Sequence, residues 1–148
     1  MPWNEPGIIM KLLDAGALGV ICPMINTRAD AEAFVGACRY TPEGYRSAGP
    51  TRAMLVHGAD YIAKANDAVV TLAMIETKEA LDNVAEIVAT PGLTGIYVGP
   101  SDLSLSLGYG PGMDHTRPEM VDAIMAIRDA CKAAGVKVGI HCGTTAYA

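Results

Sequence analysis

The chain has 148 residues, 51% of them hydrophobic and 18% charged, which is enough apolar material for one folded core and too much for a disordered segment. Its net charge is −5 and its eleven Lys and Arg are scattered, so it offers no basic footprint for nucleic acid or an anionic lipid surface and points to a small-molecule partner. The opening MPWNEPGIIM does not read as a signal peptide, and no apolar run reaches the ~18 residues of a membrane span.

Taken in chain order, Asn4 followed by Glu5 and Pro6 reads as an N-cap with an acid and a proline in the first turn. Ile8, Ile9, Leu12 and Leu13 then keep helical spacing up to Gly16. LGVICPMI at 18–25 is continuously apolar and too short for a buried helix, which predicts a strand covered on both faces. A helix over 27–38 opens at Thr27 and Asp30. From Arg39 to about Asp67 the periodicity fails; YTPEGYRSAGPTRA reads as a long loop, and only GADYIAKAND has helical character.

AVVTLAMIE at 68–76 is a second apolar strand. It is followed by a helix over 77–92 with the stripe Leu81, Val84, Ile87 and Val88, ended by Gly92. LTGIYVG at 93–99 is a third strand, PSDLSLSLG a turn with one or two helical turns, 117–134 an amphipathic helix stopped by Gly135, and VKVGIHC at 136–142 a fourth strand. Continuously apolar strands joined by helices predict an α/β fold with parallel strands and right-handed crossovers. A complete doubly wound sheet fits, and so does about half of a (β/α)8 barrel, which normally needs ~250 residues.

In either fold the chemistry sits at the carboxyl ends of the strands, so the polar residues that terminate apolar runs are the informative ones. One run stops at Glu76; the next stops at Gly99-Pro100-Ser101-Asp102. Consecutive strands bring these two carboxylates close, and a hard divalent cation such as Mg2+ or Mn2+ needs few carboxylates, keeping positions for water and substrate oxygens. The plainer readings are a first-turn acid complementing a helix dipole for Glu76 and an N-cap for Asp102. Gly99, Pro100, Ser101 and Asp102 also place free backbone N–H groups at a helix start, suited to a substrate carboxylate. A molecule joining that carboxylate to an adjacent keto oxygen is a 2-oxo acid.

Asp14 falls in the last turn of the first helix, where its charge opposes the dipole; it reads as a solvated surface acid or as a carboxylate orienting a catalytic His. His57 and His115 read as loop residues, whereas His141 ends a strand. No Lys ends a strand, which argues against Schiff-base chemistry. Cys22, Cys38, Cys131 and Cys142 lack metal or disulfide spacing and read as free thiols of a cytoplasmic protein.

WNEPGIIMKLLDAGALGVICPMINT, RYTPEGYRSAGPTRA, AMIETKEALDN and GIYVGPSDLSLSLG, in that order, resemble the HpcH/HpaI aldolase family, metal-dependent aldolases of 4-hydroxy-2-oxoheptanedioate and 2-keto-3-deoxy sugar acids. The resemblance implies a (β/α)8 barrel, of which residues 1–148 would be a part truncated at both ends, holding about four parallel strands, the fourth to the seventh. It implies a divalent cation (Mg2+, Mn2+ or Co2+) on Glu76 and Asp102, the Ser101 and Asp102 amides on the substrate carboxylate, and Asp14 raising the basicity of a catalytic His. It also implies homo-oligomers, hexamers in the full-length family, and cleavage of a 4-hydroxy-2-oxo acid to pyruvate and an aldehyde through a metal-stabilised enolate. The chain departs from the family pattern at Met74, where many members carry Gln. The family's catalytic His and enolate-stabilising Arg belong to segments upstream of PWNEP. A citryl- or malyl-CoA-type lyase and a non-catalytic metal- or keto-acid-binding fragment are the alternatives.

Overall fold

The computed structural model describes residues 1–148 and is built on a four-stranded sheet. Strands β1 (Gly19–Cys22), β2 (Val70–Ile75), β3 (Gly95–Val98) and β4 (Lys137–Ile140) lie side by side in chain order, and every pair is parallel. Helix α1 (Pro6–Asp14) leads into β1. Helices α2 (Arg28–Cys38), α3 (Arg52–His57) and α4 (Tyr61–Ala68) join β1 to β2. Helices α5 (Lys78–Asp82) and α6 (Val84–Val88) join β2 to β3, and α7 (Pro100–Ser106) and α8 (Pro118–Ala134) join β3 to β4. No helix is long and apolar enough to cross a membrane.

Side chains alternate across the sheet, as the strand period of two requires. Val20, Cys22, Thr71, Ala73, Ile75, Ile96 and Val98 point into the helix layer and are buried, together with Ile9, Leu13, Phe34, Ile87 and Ile127. Residues of the other parity, Ile21, Leu72, Met74 and Tyr97, remain half-buried on a more open face.

The helix starts follow local chemistry. Thr27 accepts the Asp30 N–H while Asp30 accepts the Thr27 N–H, a capping box that opens α2 as expected. At α1 the cap is Glu5 rather than Asn4: its two oxygens accept the Gly7 and Ile8 N–H groups at 2.8 Å, and Asn4 instead donates to the Asp30 carbonyl. The expected helix over 77–92 is two short helices broken at Asn83, whose side chain donates to the Asn26 carbonyl at 2.9 Å. The expected strands are trimmed at their ends, β1 by Pro23 and by Met24, which takes φ 54°.

The expected long loop contains α3 as well as α4, and its start is held by two buried arginines. Arg39 donates to the carbonyls of Val69 and Gly92 at 2.8 and 3.0 Å, at the starts of β2 and β3. The Arg46 guanidinium lies 4.5 Å from the Tyr40 ring centre and 5.4 Å from that of Tyr61, and donates to the Tyr61 hydroxyl. All four cysteines are free. Burial pushes the thiols of Cys22 and Cys38 up to about 12 and that of Cys131 up to about 11, while Cys142 is partly exposed.

Phe34 is fully buried at the centre of the helix layer. Phe34→Ala should cost about 3–5 kcal/mol through lost burial and a cavity, read as a fall in the chemical-denaturation midpoint by circular dichroism. A fall below about 1 kcal/mol would show that the layer re-packs around the gap.

Candidate functional site

Glu76 is the first residue beyond β2 and shares the parity of Leu72 and Met74, so it leaves the sheet on the open face. It is nonetheless 3% exposed, because the chain beyond β1 folds over it: the Met24 N–H donates to Oε1 at 2.7 Å. Burial pushes the Glu76 carboxyl above the usual carboxylate range, the Met24 N–H pulls it down, and the charge of Asp102 pushes it up. The flanking turn is pinned by Thr77, which donates to Asn26 Oδ1 at 2.5 Å and caps α5 by accepting the Ala80 N–H.

Beyond β3, the Gly99 N–H continues the ladder to the Ile75 carbonyl at 3.1 Å. A Cβ at Gly99 would stand 2.7 Å from Glu76 Oε2 and 2.9 Å from the Met74 terminal methyl, so only glycine lets this turn pass the carboxylate. Pro100 then starts α7, Gly99 serves as its N-cap without a side-chain bond, and Asp102 falls in the first turn. Asp102 is therefore not the N-cap that one reading of the sequence offered; its side chain is exposed and its charge faces Glu76.

A cleft of about 140 Å³ opens here, lined by Met74, Tyr97, Ser101, Asp102, Met113 and His141 together with Gly99 and Pro100. His141, the first residue beyond β4, bonds through Nδ1 to the Tyr97 hydroxyl at 2.9 Å, with the two rings edge to face. No Lys lines the cleft. No group of three or more His, Cys, Asp and Glu side chains converges in the chain. A hard cation at this end of the sheet would thus rest on Glu76 and Asp102, with its other positions open to water or substrate oxygens. An electron-rich pair of carboxylates, one buried with its carboxyl pushed up, is the donor set such a cation takes.

The structure brings Glu76, Gly99, Pro100, Ser101 and Asp102 together. It does not bring Asp14 to them: Asp14 ends α1, before β1 begins, so within this chain it lies at the opposite end of the sheet, where Oδ1 accepts the Ala53 N–H at 3.1 Å. His57 is the last residue of α3, not a loop residue; it stacks on Tyr61 and meets the Gly16 carbonyl at 2.9 Å. His115 is in a loop as expected. Tyr97 and Met113 also line the cleft: Tyr97 has Gly99's parity two residues before the turn, so the strand period places it there, whereas Met113 comes from an irregular segment with no sequence signal.

Residues 1–141 match the family model described as HpcH/HpaI aldolase/citrate lyase. A hydroxypyruvate/pyruvate aldolase of Rhizorhabdus wittichii is 50% identical over 145 residues, which cover 98% of this chain and 58% of that protein. A 4-hydroxy-2-oxo-heptane-1,7-dioate aldolase of Klebsiella pneumoniae is 40% identical over 139 residues, covering 90% and 52%. Among solved structures, an HpcH/HpaI aldolase/citrate lyase family protein from Burkholderia cenocepacia superposes with a TM-score of 0.89 at 35% identity, over 98% of this chain and 58% of that one. The chain thus spans just over half the length of these relatives, and its four parallel strands with their helices are a part of an α/β barrel.

Because the folded state raises the Glu76 carboxyl, it favours the protonated acid: that contribution is fully present below the ordinary carboxylate value of ~4.3 and is lost as pH rises through the raised one. In metal-free protein, Glu76→Gln should therefore raise the melting temperature at neutral pH, and the gain should shrink as the pH is lowered past that range. A gain independent of pH would mean that burial of the charge is not the cause.

Proposed function

The chain belongs to the HpcH/HpaI aldolase/citrate lyase family, and on that premise we propose that it supplies the cation and oxo-acid site of a carbon–carbon lyase that cleaves 4-hydroxy-2-oxo acids to pyruvate and an aldehyde. The observation that carries the reading is that Glu76 and Asp102 follow the carboxyl ends of two adjacent parallel strands, near enough for the charge of Asp102 to act on Glu76, with Gly99 packed against Glu76 where any side chain would collide. Two aldolases among the relatives, one named for pyruvate and hydroxypyruvate and one for a 4-hydroxy-2-oxo acid, favour the same substrate class.

In this proposal Glu76 and Asp102 hold a divalent cation such as Mg2+, Mn2+ or Co2+, which when bound supplies a Lewis acid for the keto oxygen. Met24 keeps one oxygen of Glu76 occupied, so the carboxylate presents Oε2 toward the turn at Gly99. The amides of Ser101 and Asp102, at the free start of α7, bind the substrate carboxylate. Orientation follows: carboxylate and keto oxygen lie toward Ser101 and Asp102, and the bond to be broken extends toward Met113 and His141. Asp14, at the other end of the sheet with Oδ1 on the Ala53 N–H, takes no part in this site within residues 1–148.

Manganese binding followed by electron paramagnetic resonance tests the site without requiring turnover. Glu76→Ala and Asp102→Asn should each weaken Mn2+ binding by more than about 100-fold, beyond the ~10–100-fold that outer-shell changes bring. In the native polypeptide, pyruvate release from a 4-hydroxy-2-oxo acid should fall in parallel. Wild-type affinity in both variants would place the cation elsewhere.

A further inference from the structure

The loop between α7 and α8 is fastened to the segment that follows β4. Asp114 Oδ1 accepts the Gly143 N–H at 2.7 Å, and Oδ2 accepts the Thr144 hydroxyl at 2.7 Å. The Tyr147 hydroxyl donates to the His115 carbonyl at 2.9 Å, and the His115 ring meets the Gly112 carbonyl at 2.8 Å. The chains approach closely, since a Cβ on Gly143 would stand 3.2 Å from Asp114 Oδ2. Thr144 first and Gly143 second hold the Asp114 carboxyl below its usual range, so the clasp is anionic at neutral pH.

This clasp sits beside two residues of the cleft. Met113 immediately precedes Asp114, and His141 is two residues before Gly143. His141 is held to the sheet by its N–H on the Val98 carbonyl at 3.2 Å and by its ring on the Tyr97 hydroxyl, whereas the Ser104 hydroxyl on the Gly110 carbonyl at 2.6 Å ties the loop only to α7. The clasp, with the Tyr147 bond beside it, is therefore what links Met113 to the His141 side of the cleft. With the 2-oxo acid assigned to Ser101 and Asp102, Met113 and His141 border the space left for the remainder of the substrate.

We propose that Asp114 is a positioning residue which, by locking the 107–117 loop to the chain after β4, fixes the gap between Met113 and His141 and thereby selects among acceptor aldehydes by length. The inference rests on the aldolase reading above. A cleft wall free to move would still admit pyruvate, whose contacts lie elsewhere, but it would lose the near-attack placement of a longer partner.

The test uses the native polypeptide with Mn2+ and compares 4-hydroxy-2-oxo acids that release a one- or two-carbon aldehyde with those that release a four-carbon one, alongside Mn2+-dependent pyruvate binding. Asp114→Ala should leave pyruvate binding within about twofold and lower kcat/KM for the long substrate, through KM, by at least about tenfold relative to the short one. Asp114→Asn, whose Oδ1 can still accept the Gly143 N–H while its amide N–H donates to the Thr144 hydroxyl oxygen, should restore most of the ratio. If Asp114→Ala does not fold, Thr144→Val, which removes the hydroxyl from the other side of the clasp, should shift the ratio the same way. An unchanged ratio, or an equal loss on both substrates, overturns the role of Asp114. Absence of Mn2+-dependent pyruvate binding in the unaltered protein overturns the aldolase reading and this inference with it.

Discussion

Ile75 stands opposite Val98, and Val98 opposite Ile140, in a continuous parallel ladder. The residues one step further, Glu76, Gly99 and His141, consequently leave the sheet at one level and on one face, although the first and last stand 65 positions apart in the chain. Because the side-chain period is two, a slip of a single residue in either pairing would turn Glu76 or Gly99 into the helix layer and scatter the site. The buried residues of opposite parity, Ala73, Ile75, Ile96 and Val98, are what forbid that slip, so the apolar layer specifies the polar one.

The same arrangement leaves an electrostatic debt at its centre. Glu76 is buried, faces the charge of Asp102, and receives one backbone N–H from Met24. Met24 delivers that N–H from the left-handed region at φ 54°, a conformation that costs an L-residue about 1–2 kcal/mol. The cation proposed for this position would offset both the burial of Glu76 and its repulsion by Asp102.

Much of this was legible from residues alone. Buried parallel strands appear as unbroken apolar runs, so LGVICPMI, AVVTLAMIE, LTGIYVG and VKVGIHC are legible as strands, and the polar residues ending them lie at one end of the sheet. What escaped depends on long-range partners. The break at Asn83 is made by the Asn26 carbonyl, the order of residues 39–46 by Arg39 and Arg46 reaching strand starts and tyrosine rings, and the cap at Glu5 by Asn4 being drawn away to Asp30. Apart from Tyr40, these partners stand 15 or more positions away in sequence. Asp14 illustrates a different limit. Family likeness attaches a role to it, but a helix that feeds a strand delivers its last turn to the strand's beginning, and the role came without a place.

The distribution of thiols has a practical outcome. Cys22, Cys38 and Cys131 are buried, and their thiolates are suppressed by burial, so alkylating reagents that need the thiolate will pass them by in the folded protein. Cys142 is the one partly exposed, and it directly follows His141 at the rim of the cleft. Among residues 1–148, a maleimide or methanethiosulfonate reagent applied to the folded chain therefore carries its fluorophore or spin label to Cys142, and the probe reports from beside the cleft.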